Sequence, residues 1–165
     1  MPDKKTIERA KKAKREGKSP TTQAGEFVRE EIQHIREGKH GARSAKQVIA
    51  IGLSKARRAG VDLRPPKKGE VSEKTRTSAK RAYDKGQKHE PISPARSRAG
   101  VKALKKESRT AASHNALSRH AHSAARERKA SERSAAARKA AKTKGPRKRS
   151  EAAKKAARTR ARNEH

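Results

Sequence analysis

The sequence contains no cysteine and no tryptophan, and its aromatic residues are one phenylalanine, Phe27, and one tyrosine, Tyr83. The first absence excludes a disulfide framework, a thiolate zinc site and a thiol nucleophile. The second removes the stacking platforms on which single-strand binders and RNA-recognition modules rely. Acid is scarce too, with 17 Asp+Glu against 48 Lys+Arg and a formal net charge of +31. The longest apolar run, Val48 to Leu53, is far short of the ~20 residues that a membrane span needs. The start, Met1-Pro2-Asp3-Lys4-Lys5, leads into charge, so no signal peptide is expected. A membrane-surface helix would want large apolar anchors, and the tail (101–165) has only Leu104 and Leu117.

What is present is charge: 39% of the residues are Asp, Glu, Lys or Arg, and 29% are hydrophobic. So little apolar side chain argues against a deep enzymatic cleft, and no enzymatic activity is expected. A polycation points to a polyanionic partner. The charge is uneven. Residues 1–63 hold 16 basic and 8 acidic side chains, residues 64–100 hold 11 and 4, and residues 101–165 hold 21 and 5. Bulky aliphatics lie the other way, concentrated between Phe27 and Leu63. The chain therefore divides into a basic lead-in (1–18), a packed unit (19–63), a Pro-broken linker (64–100) and a basic Ala/Lys/Arg/Ser tail (101–165).

The fold class expected is mostly α: a two-helix hairpin, about 19–37 and 44–59, followed by a largely disordered, helix-prone tail. Ser19-Pro20 opens the first helix as cap and first residue. Phe27, Val28, Ile32 and Ile35 give its apolar stripe. Ser44 with Gln47 fits a capping box for the second helix. Ala45, Val48, Ile49, Gly52, Leu53 and Ala56 then share one face, and Gly60 ends it. Within the linker a short helix over 72–85 is expected from Ser72, stopped by Gly86. Glu31 falls on the apolar side, where a carboxylate needs a partner, and Lys55 is the best placed. No second titratable group is evident beside it, so Glu31 is given no catalytic role. Ile51 and the open edge of so small a hairpin suggest a homodimer.

The tail holds a duplication. Arg133-Ser-Ala-Ala-Ala-Arg-Lys-Ala-Ala-Lys-Thr-Lys144 matches Arg149-Ser-Glu-Ala-Ala-Lys-Lys-Ala-Ala-Arg-Thr-Arg160 at 8 of 12 places, with Gly145-Pro146-Arg147-Lys148 between the copies. Each copy reads as a cationic cassette, with Ala for helix propensity and basic residues for phosphates. Free in water the cations repel and the tail is expected to stay disordered, folding against phosphate.

The nucleic-acid-binding candidates are Arg43, Lys46, Lys55, Arg57 and Arg58 of the second helix and its approach. From the tail come Arg133, Arg138, Lys139, Lys142, Lys144, Arg147, Lys148, Arg149, Lys154, Lys155, Arg158, Arg160 and Arg162. A solvated polar face is the plain alternative for the helix cations. His114, His120 and His122 lie close in sequence, but without cysteine or nearby carboxylates to complete four ligands they are assigned no metal. No cofactor is expected.

The stretch His40–Gly60, with Gly25–Ile32 before it, resembles a family of small basic bacterial proteins of unassigned activity. The likeness rests on the Ser44-x-Lys46-Gln47-x-Ile49-Ala50-Ile51-x-Leu53-Ser54-x-Ala56 core and covers about a quarter of the chain. It implies bacterial origin and no mechanism. The tail is similar to linker-histone tails and bacterial histone-like proteins in composition alone. Together these readings favour a nucleoid-associated, cytoplasmic protein that binds duplex DNA through phosphates without sequence preference. The alternatives are a protein–protein adaptor tethered by its tail, and a structured-RNA or ribosome-associated protein.

Overall fold

The computed structural model describes residues 2–128 and 130–163. Among them are seven α-helices and one 3₁₀ turn: α1 (Lys4–Arg15), α2 (Pro20–Arg36), α3 (Ala45–Arg58), α4 (Glu73–Gln87), α5 (Pro94–Leu104), the 3₁₀ turn (Thr110–Ala112), α6 (His114–Glu127) and α7 (Ala130–Asn163). Two compact units divide between His120 and Ala121. No described helix is long and apolar enough to cross a membrane.

Serine punctuates the first unit. Ser19, Ser44, Ser72, Ser93 and Ser113 each accept a backbone N–H from the residue three further on, satisfying an orphan donor of the first turn. At Ser44 the expected box is offset by one residue, because Gln47 Oε1 accepts the N–H of Arg43 at 2.7 Å. Gly60, at φ 84°, closes α3 as read from the sequence. Its N–H reaches Arg57 O, and the N–H of Val61 reaches Ala56 O, both at 3.1 Å. Val61 folds back and is buried, completing a Schellman stop.

The hairpin of α2 and α3 is present, but it is the middle of a larger unit. In the first core cluster Ala10 of α1 joins Ala24, Phe27, Ala56 and Val61, with Ile7, Leu53, Ala59 and Leu63 packed around them. In the second, Ala111 and Ala112 of the 3₁₀ turn lie with Ile35, Ala42 and Val48, beside Ile32. The chain is stitched across that junction by backbone bonds from Gly41 N–H to Leu104 O and from Ala42 N–H to Ser108 O, both 2.9 Å. Arg36 Nε donates to Ala112 O at 3.0 Å. On the other side α4 packs against α3.

The expectation of a two-helix hairpin followed by a disordered tail is therefore overturned, and the reason lies in alanine. Ten of the fourteen buried hydrophobic residues are Ala, so counting bulky aliphatics undercounts the core. Small side chains let helix backbones approach. A Cβ on Gly52 would lie 2.6 Å from Val28 Cα, and one on Gly86 would overlap the Arg57 carbonyl oxygen. Gly86 is thus a contact point inside α4 rather than its stop. The helix runs on to Gln87, and His89, at φ 53°, takes the left-handed position.

The tail is helical for a related reason. Ala, Arg and Lys rank near the top of helix propensity. Each like-charge pair on an exposed surface costs only a few tenths of a kcal/mol, too little to offset that preference over α7. The run breaks once, at Gly145 (φ 68°, ψ 168°) before Pro146, between the two copies of the repeat. The open hairpin edge, which together with Ile51 suggested a homodimer, carries α1 against α2 and α4 against α3 of the same chain.

Candidate nucleic-acid interface and a buried carboxylate–histidine cluster

In α7, Arg133, Arg138, Lys139, Lys142, Arg147, Lys148, Arg149, Lys154, Lys155, Arg158, Arg160 and Arg162 are all exposed; the Lys144 side chain lies outside the described residues. At ~100° per residue, Arg147, Lys148, Lys154, Lys155, Arg158 and Arg162 fall within an arc of about 120°, while Arg149 and Arg160 point the other way. The repeat keeps a triad in register. Arg138, Lys139 and Lys142 of the first copy correspond to Lys154, Lys155 and Arg158 of the second, and each triad spans about 100° of helix surface. Glu151 sits within the second face, where its Oε1 is 3.3 Å from Arg147 Nε. Arg149 Nε donates to Gly145 O at 3.3 Å.

The hairpin cations are employed differently. Lys55 donates to Glu31 Oε1, the partner expected from the sequence. Arg57 is buried and spans the turn after α3, with Nε donating to Leu63 O at 3.0 Å and Nη2 to Arg64 O at 3.4 Å. Burial pushes its guanidinium pKa down from the ordinary value. Arg58 Nη2 donates to Glu90 O and Pro91 O, at 3.0 and 3.2 Å. Arg43 is exposed, with Glu107 3.7 Å away, and Lys46 is exposed. The five residues therefore do not form one phosphate-facing patch. A helical projection registers direction and not the loops that fold back onto a helix, so these internal bonds had no signal in it.

Sequence reasoning also passed over cations that the fold presents. Lys4, Lys5, Lys11, Lys12, Lys14 and Arg15 are exposed on α1. An open groove beside α3 and α4 is lined by Arg58, Lys74, Arg81, Lys85 and Arg96 together with Glu73. Both follow from the amphipathic spacing of α1 and α4, whose buried positions are Thr6, Ala10 and Ala13, and Ala79, Ala82 and Gly86.

Beneath the hairpin surface lies a cluster of the opposite charge. Glu31 is fully buried and Glu30 nearly so, with His34 and His40 both 8% exposed. Glu31 Oε1 is 3.6 Å from His34 Nδ1, and Glu31 Oε2 is 3.5 Å from His40 Nε2. His34 Nε2 is 3.3 Å from Asp3 Oδ2 and 3.9 Å from Glu30 Oε1. Glu30 also accepts the backbone N–H of Asp3 through both oxygens, at 3.2 Å, so it anchors the start of α1. Lys55 Nζ lies 4.0 Å from Glu30 Oε1. Glu31 Oε2 is buried without a hydrogen-bond partner.

The expectation that Glu31 has no second titratable group beside it fails on His34 and His40. The signal was available in the Glu31-x-x-His34 spacing, which puts both on one helix face, whereas His40 arrives through the turn at Gly38. Ligand atoms of Glu31, His34 and His40 all lie within 4.8 Å of one another, as do those of Asp3, Glu30 and His34. Neither group includes His114, His120 or His122 of α6. The described residues of this chain thus carry an exposed basic helix and a buried cluster that could hold a cation, and the chain matches no family model, no curated protein and no solved structure.

Proposed function

We propose that the protein binds duplex DNA without sequence preference, through phosphate contacts made by α7, and associates with the nucleoid. The observation that carries this reading is the basic face of α7, six cations within about 120° of helix surface. From Arg147 to Arg162 the helix advances ~22 Å, the span of six or seven phosphates on one strand at ~3.4 Å each. The cassette being helical, its cations arrive already spaced, and little ordering entropy is left to offset binding. The scarcity of aromatic residues, none of them in the tail, weighs against base stacking and hence against single-strand recognition. Phosphates contribute affinity and position while carrying no sequence information.

The test is titration of the full chain with a fluorescent duplex over a range of salt. Six phosphates engaged give a slope of log K against log salt of about −5, and ten about −9. Replacing Lys148, Lys154, Lys155 and Arg158 together by Gln flattens the slope by about 3 to 4 while leaving the far-UV circular dichroism helical. A slope near zero, or a variant that binds as the parent does, refutes the reading. Structured RNA outcompeting duplex DNA at equal salt replaces it with RNA binding.

A further inference from the structure

We propose that Glu31, His34 and His40 form a zinc site, a His₂Glu centre at the junction of α2 and the α2–α3 connection.

The argument starts from protons. His40 Nδ1 lies 3.0 Å from the Gly41 carbonyl oxygen, and a carbonyl only accepts, so Nδ1 carries the proton. In the neutral ring Nε2 is then a lone pair, and it faces Glu31 Oε2 at 3.5 Å. His34 repeats the arrangement in mirror form. Its Nε2 lies 3.3 Å from Asp3 Oδ2, again an acceptor, which leaves Nδ1 as a lone pair facing Glu31 Oε1 at 3.6 Å. Two imidazole lone pairs and a carboxylate converge with no donor between the rings and the acid. One carboxylate oxygen, Oε2, is buried and unpartnered.

A cation resolves that arrangement. Metal-bound histidines characteristically donate their second ring N–H to a carboxylate or backbone carbonyl, the partners found here in Asp3 and Gly41. Two imidazoles and a carboxylate suit zinc, whose ligand atoms sit about 2.0–2.2 Å from the ion. A tetrahedron of that size has ligand–ligand edges of about 3.4 Å; Glu31 Oε2 and His40 Nε2 stand 3.5 Å apart, and ligand atoms of Glu31, His34 and His40 all lie within 4.8 Å of one another. Charge agrees. The buried carboxylates Glu30 and Glu31 have one ammonium within 4.0 Å, Lys55, and Lys39 lies in the field of Asp3 and Glu30, so with neutral rings the cluster keeps a net negative charge that favours a cation. Lys55 occupies Oε1 of Glu31 and leaves Oε2 for the metal. The ion would tie α2 to the connection whose Gly41 and Ala42 already pair with Leu104 and Ser108. Three protein ligands leave the fourth position of the tetrahedron to water, and the site is independent of nucleic-acid binding.

The competing state is metal-free, with imidazolium rings donating to Glu31. The experiment is zinc titration of the untagged full chain against a chromophoric chelator, repeated on His114→Ala/His120→Ala/His122→Ala, on Glu31→Gln and on His40→Ala. The expected result is one tight equivalent, unchanged in the triple α6 variant, weakened at least 50-fold in Glu31→Gln and His40→Ala, and accompanied by a higher melting temperature. X-ray absorption of the zinc-loaded parent decides independently of whether the variants fold, the expected shell being two imidazoles with oxygen donors. Zinc binding that disappears with the α6 histidines, a shell without two imidazoles, or no tight equivalent in the parent overturns the proposal.

Discussion

Four glycines lie inside helices with ordinary helical backbone, and the fold assigns them opposite signs on replacement by alanine. Gly25 of α2 and Gly100 of α5 have no atom within 4 Å of where a Cβ would stand, and both are exposed. Alanine there gains only the intrinsic preference, ~0.8–1 kcal/mol each, which raises the melting temperature by roughly 3–5 °C. Gly52 and Gly86 are buried. A Cβ at Gly52 would meet Val28 Cα, N and Cγ2 at 2.6 to 2.9 Å, and one at Gly86 would meet the backbone of Arg57 and Arg58. Backbone cannot swing aside as a long side chain can, so the helices must separate. That disturbance costs on the order of 1–3 kcal/mol or more, enough to cancel the propensity gain and lower stability on balance. The assay is urea unfolding of the four single variants, followed by ellipticity at 222 nm. Stabilisation by Gly52→Ala or Gly86→Ala equal to that of Gly100→Ala would refute the close packing of α3 against α2 and α4.

Three further outcomes are expected. Lys55→Met leaves Glu31 buried beside its oxygen's lost donor and costs about 3 kcal/mol with a chelator present, the low end for a broken buried pair because Lys55 is one-quarter exposed; adding Glu31→Gln restores most of it, and urea unfolding of the cycle measures the coupling. Tyr83 donates its hydroxyl to Asp62 Oδ1 at 2.7 Å, and that bond holds the phenol pKa above its ordinary value. The folded pKa being the higher, the stabilisation is complete below the unfolded value of ~10 and lost as pH rises through the folded one. As the chain's one tyrosine, with no tryptophan, Tyr83 reports alone at 295 nm, and Asp62→Ala brings its midpoint down. Finally, deletion from residue 101 removes Ala111 and Ala112 from beside Ile35 and Val48 and unfolds the first unit, whereas deletion from residue 121 leaves its helicity and urea midpoint intact.

The caps and the stop of α3 were legible in the sequence because they are local chemistry. Ser19-Pro20, Ser44, Ser72 and Gly60 each act within four residues of themselves. The same grammar at Ser93-Pro94 also marks a helix, and it passed unread because the segment after it lacks a bulky stripe. The partnership of Glu31 with Lys55 was legible as well, since a buried carboxylate demands a cation and the second helix supplies one. What could not be read was alanine packing, which has no distinctive side-chain signature, and the long-range arrivals. Ala111 and Ala112 come to Ile35 across more than 70 residues of chain, and His40 reaches Glu31 only once α2 has ended. The cations of α7 were legible in the repeat but its helix was not, because like-charge repulsion was set above helix propensity, and the internal use of Arg57 and Arg58 depended on turns whose paths no periodicity encodes.

The alanine core bears on heat capacity. A buried methyl exposes little apolar surface when the chain unfolds, and apolar exposure is what makes the heat capacity of unfolding large. The first unit should therefore fall below the usual ~12–15 cal/mol/K per residue, with a flat stability curve and weak cold destabilisation. Alanine also has no rotamers to freeze. Such a unit trades a steep optimum for near-constant stability across temperature.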